Sequence, residues 1–183
     1  LTAYDDVENF PRFNKQTFEL YCKNKLDNCS NDLNFFEQTC LTKSNNNKVC
    51  EIGSGNGKML INMSLRGIVS EAIGIEVSES RHKFAKKFRD LYKCQDVKFI
   101  NDDIFKIGIL ENFDLIFGID IVFHSVAAQF DNAEDRLMEW VYRSLKPGGY
   151  ILLELRDFKS TLKIIDALHD HVYRVWGKFD KYD

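Results

Sequence analysis

The 183-residue chain is poor in the features that mark several protein classes. It has two prolines, and no repeat or low-complexity tract interrupts it. No apolar run approaches the ~18 residues a membrane span needs, so no membrane partner is expected. The first residues lack the basic and apolar regions of a signal peptide, which predicts a cytoplasmic location. No basic block exceeds two residues, and net charge is 25 − 28 = −3. Lys86-Lys87 falls between Phe84 and Phe88 on a helical pattern and reads as a solvated face. That leaves no electrostatic footprint for nucleic acid. Cysteine is present at 22, 29, 40, 50 and 94, an odd set without C-x-x-C spacing. The set fits a reducing cytoplasm better than a disulfide framework. His169 and His171 lie two apart on a helical pattern and point to different sides, so no metal is expected.

What is present fits one globular domain: 44% hydrophobic and 29% charged residues, with enough length to bury a core. From Val49 onward strand and helix patterns alternate, which predicts an α/β fold with a mostly parallel sheet covered on both faces. The most informative stretch is Val49-Cys50-Glu51-Ile52-Gly53-Ser54-Gly55-Asn56-Gly57-Lys58. A strand ends in an acid, three glycines follow at alternate positions, and a helix is predicted over 58–65. Alternate glycines admit positive φ and let a ligand approach the main chain. The helix that follows offers unpaired N–H groups and a positive dipole end. A dinucleotide loop would carry its third glycine where Lys58 stands.

Further features lie downstream at regular intervals. The stretch 71–77 reads as a second strand reaching Glu76, with Ser78 as N-cap of a helix over 79–93, which leaves Glu76 free. Val97-Lys98-Phe99-Ile100 leads into Asn101-Asp102-Asp103-Ile104, an alternating strand leaving through two aspartates, either of which could also cap the turn. Phe113-Asp114-Leu115-Ile116-Phe117-Gly118 reads as a fourth strand. Leu145-Lys146-Pro147-Gly148-Gly149 ends a helix and turns the chain into a fifth.

In this order the motifs resemble the class I S-adenosylmethionine-dependent methyltransferases, over roughly residues 45–158. The resemblance implies a Rossmann-like sheet, S-adenosylmethionine as cofactor, and transfer of its methyl group to a nucleophile. It implies that Gly53, Ser54, Gly55 and Gly57 form the cofactor cradle. It implies that Glu51 orders that loop and helps place the methionine amino group. By the same likeness Glu76 accepts from the ribose hydroxyls with Val77 beside it. Asp103 takes the exocyclic amine of adenine, with the register open by one to Asp102, and Ile104 packs against the ring. Gly118 opens the segment over the methyl donor. There Asp120 and His124 are the catalytic candidates, His124 as general base or as a structural histidine.

The Asn/Asp-Pro-Pro-Tyr/Phe signature of nucleic-acid amino methyltransferases is absent; Ile119-Asp120-Ile121-Val122 stands in its place. A small-molecule acceptor methylated on O or N is therefore expected. Two rivals stay open: a methyltransferase-like binding module or partner subunit, and a nicotinamide-dependent oxidoreductase. Residues 1–44 are expected as an amino-terminal helical cap, with helices over 15–26 and 32–42. Tyr4, Phe10, Phe13 and Phe18 are candidate pocket walls or core. Residues 45–183 form the core of a single domain. The family's carboxyl-terminal strand hairpin is expected to be incomplete: after a helix over 160–171 the sequence has room to begin a sixth strand but not a hairpin.

Overall fold

The computed structural model describes residues 15–41, 46–119 and 132–153. In chain order these form α1 (Lys15–Asn28), α2 (Ser30–Thr39), β1 (Asn47–Ile52), α3 (Lys58–Leu65), β2 (Val69–Ile75), α4 (Glu79–Tyr92), β3 (Val97–Ile100), β4 (Phe113–Gly118), α5 (Ala133–Ser144) and β5 (Leu145–Leu153). The five strands make one parallel sheet in the order β3-β2-β1-β4-β5. The chain steps outward from β1 through β2 to β3, then returns to lay β4 on the other side of β1. The carboxyl ends of β1 and β4 therefore flank the switch point, where open α/β sheets bind ligands.

Alternation along the strands sorts the core into two layers. Val49, Ala72, Leu115 and Phe117 face α1–α4, meeting Leu33, Phe36, Leu60 and Phe88. Cys50, Ile52, Ile73, Ile75 and Ile116 face α5, meeting Leu137, Met138, Trp140 and Val141. The Phe36 and Phe117 rings meet at 5.0 Å between centroids, tilted by 55°. Each such buried side chain contributes about 1.5–3 kcal/mol of transfer free energy. All five cysteines are buried and unbridged. Burial pushes the Cys22 thiol up to about 12 and the Cys40 thiol up to about 11, so both act as small hydrophobes.

Several boundaries move from their sequence expectation. Asn47, expected in a polar connection, opens β1 fully buried, because its Nδ2 donates to the Ile68 carbonyl at 2.7 Å. Strand β2 starts two residues earlier than expected, and Glu76 stands just past its end. Pro147-Gly148-Gly149 lies inside β5 rather than before it. Phe113 pairs with Leu145 and Leu115 with Tyr150, so β5 carries the turn as a bulge that spares a ladder donor at proline. Gly148, at φ 80°, supplies the left-handed step. The expectations for Tyr4, Phe10, Phe13, the helix over 160–171 and the incomplete hairpin fall outside the described residues. No helix among the described residues is long and apolar enough to cross a membrane.

Candidate functional site

The site is built where β1 runs into α3. Gly53, Gly55 and Gly57 all take positive φ, at 69°, 55° and 76°. A Cβ on Gly55 would meet nothing nearer than the Gly53 carbonyl oxygen at 4.0 Å, so it would project into open space. At Gly57 a Cβ would drive into the Phe99 ring, and at Gly74 it would stand 2.6 Å from Phe99 Cδ1 and 2.7 Å from Ser54 Oγ. The loop is thus pressed against β2 and β3 by an aromatic ring that two missing side chains admit.

The loop's amides are largely spent inside the protein. Gly53 and Ser54 N–H donate to the Ile75 carbonyl at 2.9 and 3.0 Å, and Gly57 N–H to Ser54 O at 2.8 Å. Lys58 N–H donates to Asn56 Oδ1 at 3.2 Å. Gly55 N–H donates to Glu76 Oε2 at 2.8 Å. The spacing alone suggests free N–H groups turned to a ligand; folding consumes them to lock the loop onto the end of β2.

Glu76 also departs from expectation. Ser78 does cap α4, its Oγ accepting from Arg81 N–H at 3.4 Å, yet Glu76 is not free. Besides Gly55, its Oε1 accepts from Ser78 N–H at 2.8 Å. The carboxylate is 4% exposed and ties the loop to the start of α4. Each carboxylate oxygen has a second lone pair, so it retains room for further donors. Val77 beside it is 72% exposed, an apolar side chain left uncovered at the mouth of the site.

Asn101 went unremarked in the sequence. Its Nδ2 donates to the Glu76 and Val77 carbonyls at 2.7 and 3.2 Å, fixing the exit of β2 from the end of β3. An amide directly after a strand, next to two acids, was the only available signal. The two aspartates do cap the turn: Asp102 Oδ1 accepts from Asp103 N–H at 2.8 Å, and Asp103 Oδ1 from Phe105 N–H at 3.0 Å. Capping engages one oxygen of each and leaves acceptor capacity on both. Ile104 is buried, at 8% exposure.

Glu51 occupies the end of β1, beside Gly74 of β2 and Phe117 of β4. It is 4% exposed, and its Oε2 is buried with no hydrogen-bond partner. Burial pushes its carboxyl well above the usual range, the Lys58 ammonium opposes this, and the Glu76 carboxylate adds to it. The Ser54 hydroxyl is likewise buried without a partner. Gly118 ends β4 opposite Leu153. The catalytic candidates Asp120 and His124 lie outside the described residues. Among the described residues no His, Cys, Asp and Glu cluster could hold a metal ion.

The structure thus gathers Glu51, Gly53, Ser54, Gly55, Gly57, Glu76 and Val77 around the ends of β1 and β2, with Asp102, Asp103 and Ile104 beyond β3 and Gly118 across β4. Solved structures share this frame. The protein YcgJ of Bacillus subtilis superposes with a TM-score of 0.54 at 22% identity, over 72% of this chain and 50% of its own. A methyltransferase of Thiobacillus denitrificans in complex with S-adenosyl-L-homocysteine gives 0.52 at 22% identity, over 71% and 47%. Another from Geobacter sulfurreducens, with the same ligand, gives 0.53 at 21%, over 71% and 47%. The chain spans about half the length of these proteins. No curated protein sequence matches it. A family model described as a methyltransferase domain matches residues 43–175, most of the chain, and the chain belongs to that family.

Proposed function

We propose that the chain is an S-adenosylmethionine-dependent methyltransferase domain that methylates an O or N nucleophile of a small molecule. The observation that carries this reading is the excess of acceptors over donors at the carboxyl end of the sheet. Glu51 lies near the end of β1, Glu76 just past β2, and Asp102 and Asp103 past β3, while the loop amides bonded within the protein are Gly53, Ser54, Gly55, Gly57 and Lys58. Such a site suits a cationic nucleoside with hydroxyl and amino donors and repels a dinucleotide's phosphates.

The residues fit that cofactor. Glu76 has lone pairs left for the ribose hydroxyls, and Asp103, with Asp102 next to it, for the adenine amine. Val77 and Ile104 offer the apolar sides of a base site. The orphaned Oε2 of Glu51 calls for the donor that a methionine ammonium provides. The open Cβ position of Gly55 leaves the cradle clear. When bound, the cofactor supplies a methyl group already activated on a sulfonium, so the protein's part is to align the acceptor and exclude water. Gly118 leads into the segment that holds Asp120 and His124, the residues we assign to the acceptor. His124 would take the acceptor's proton where one must leave.

Calorimetric titration with S-adenosylhomocysteine, with NAD as control, tests the reading. We expect micromolar binding of the former and none of the latter. Binding of NAD alone would favour an oxidoreductase. S-adenosylhomocysteine binding without turnover over a broad set of hydroxyl and amine acceptors would favour a binding module.

A further inference from the structure

Glu51 is a buried acid that no ion pair reaches among the described residues. Its Oε2 has no hydrogen-bond partner. The groups around it do not relieve this. On β1 its neighbour Cys50 is buried and protonated, burial pushing that thiol up, and Lys48 is turned to Glu71. Facing it from β2 is Gly74 and from β4 Phe117, neither charged. At the end of β2 stands the Glu76 carboxylate. From α3 comes Lys58, whose ammonium acts on it through space without an ion pair. His82, farther along α4, acts on Glu76 rather than on Glu51; its Nδ1 is buried without a partner, and burial, Lys86 and Arg89 hold it below its ordinary value against Glu76 and Glu79. An isolated buried carboxylate is costly, and keeping a proton is the cheaper state.

We propose that Glu51 gives up a proton when the cradle fills, so that binding a ligand that brings an ammonium group to the end of β1 is coupled to proton release. The inference rests on the cofactor reading above. The step balances simply. The carboxyl O–H bond breaks, its electron pair stays on the carboxylate, and the proton passes to buffer. The ligand's ammonium, unchanged, takes the place of the missing counter-charge. A neutral acid in the empty site and an ion pair in the filled one both avoid a bare buried charge. Ligands without the ammonium gain nothing from the exchange.

The test is calorimetric titration with S-adenosylhomocysteine between pH 5.5 and about 7, where an α-amino group stays charged, in buffers of different ionisation enthalpy. We expect net proton release on binding, at most one per site, and affinity that rises with pH by no more than about tenfold per unit. Methylthioadenosine, which lacks the amino-acid part, should release none. Glu51→Gln should abolish the release and weaken binding at pH 7, while His82→Gln should leave the release in place. Buffer-independent binding, or release that disappears with His82→Gln, overturns this proposal and leaves the methyltransferase reading standing. Failure of the parent protein to bind S-adenosylhomocysteine overturns both. Should Glu51→Gln not fold, carboxyl ¹³C resonances of the parent decide. A Glu51 signal that is already ionised at pH 5.5 in the empty protein sinks the proposal.

Discussion

The two ends of the same sheet treat their acids in opposite ways. At the amino end, Asp114 of β4 accepts from Lys48 N–H at 2.8 Å and pairs with Lys146 of β5. Glu71 of β2 pairs with Lys48 at 3.4 Å and Lys98 at 3.2 Å. Both of these acids have an ammonium within reach. At the carboxyl end, Glu76 is held by two backbone amides, Asp102 and Asp103 by one each, and Glu51 Oε2 by none. Both ends are built from strand termini of one sheet, so local propensity does not explain the difference. The amino end is closed on itself, and the carboxyl end retains acceptor capacity that only a further donor can use.

The comparison can be broken first at the loop. Gly57→Ala adds a Cβ at φ 76° directly into the Phe99 ring. We expect about 2–4 kcal/mol of lost stability, summing overpacking and left-handed strain, and loss of S-adenosylhomocysteine binding. Denaturant melts and calorimetry read the two effects. Adding Phe99→Leu should recover part of the stability. If it recovers none, the ring is not what presses the loop into place.

Asp114→Ala and Glu76→Ala form the matched pair. Asp114 is 7% exposed, and its removal leaves Lys48 N–H and the Lys146 ammonium without their acceptor. That should cost about 1–3 kcal/mol of stability, mainly through the Lys48 N–H left without its acceptor, and leave cofactor affinity unchanged in the folded fraction. Glu76→Ala should weaken binding by about 1–3 kcal/mol, part of it through the freed Gly55 amide. Equal effects of both variants on affinity would erase the distinction between the two ends.

How much of this was legible in the sequence follows the same division. The strand–loop–helix order, the span of α3 and the Ser78 cap could be read directly. Each rests on periodicity or on one residue's own backbone preference. What folding does with hydrogen bonds could not be read. Nothing at Gly55 or Ser78 shows that both amides turn to Glu76, and nothing at Phe99 shows that two glycines 17 residues apart make room for it. Asn101 was missed because its partners belong to another strand. Those contacts arise only when β2 and β3 lie side by side, and spacing along one strand holds no trace of them.

The smallest effects carry the sharpest contrast, because they differ in sign. Burial alone would raise the Glu71 carboxyl, but Lys98 and Lys48 outweigh it and hold it below its ordinary value. A depressed folded pKa gives stability that is present above the unfolded value, near 4.3, and lost as pH falls through the folded one. For Glu51 the order reverses. Its raised folded pKa favours the fold below the unfolded value, and that contribution disappears as pH rises through the folded one. In the ligand-free protein Glu51→Gln should therefore raise the melting temperature more at pH 8 than at pH 5. Glu71→Gln should lower stability at pH 7 by no more than about 0.5 kcal/mol, since the pair is half exposed and screened by salt, and that difference should fade as pH falls through the lowered folded pKa. If both variants shift the melting curve in the same direction at pH 8, the carboxyl-end acid is compensated like the amino-end one. It would then hold no charge in reserve for a ligand.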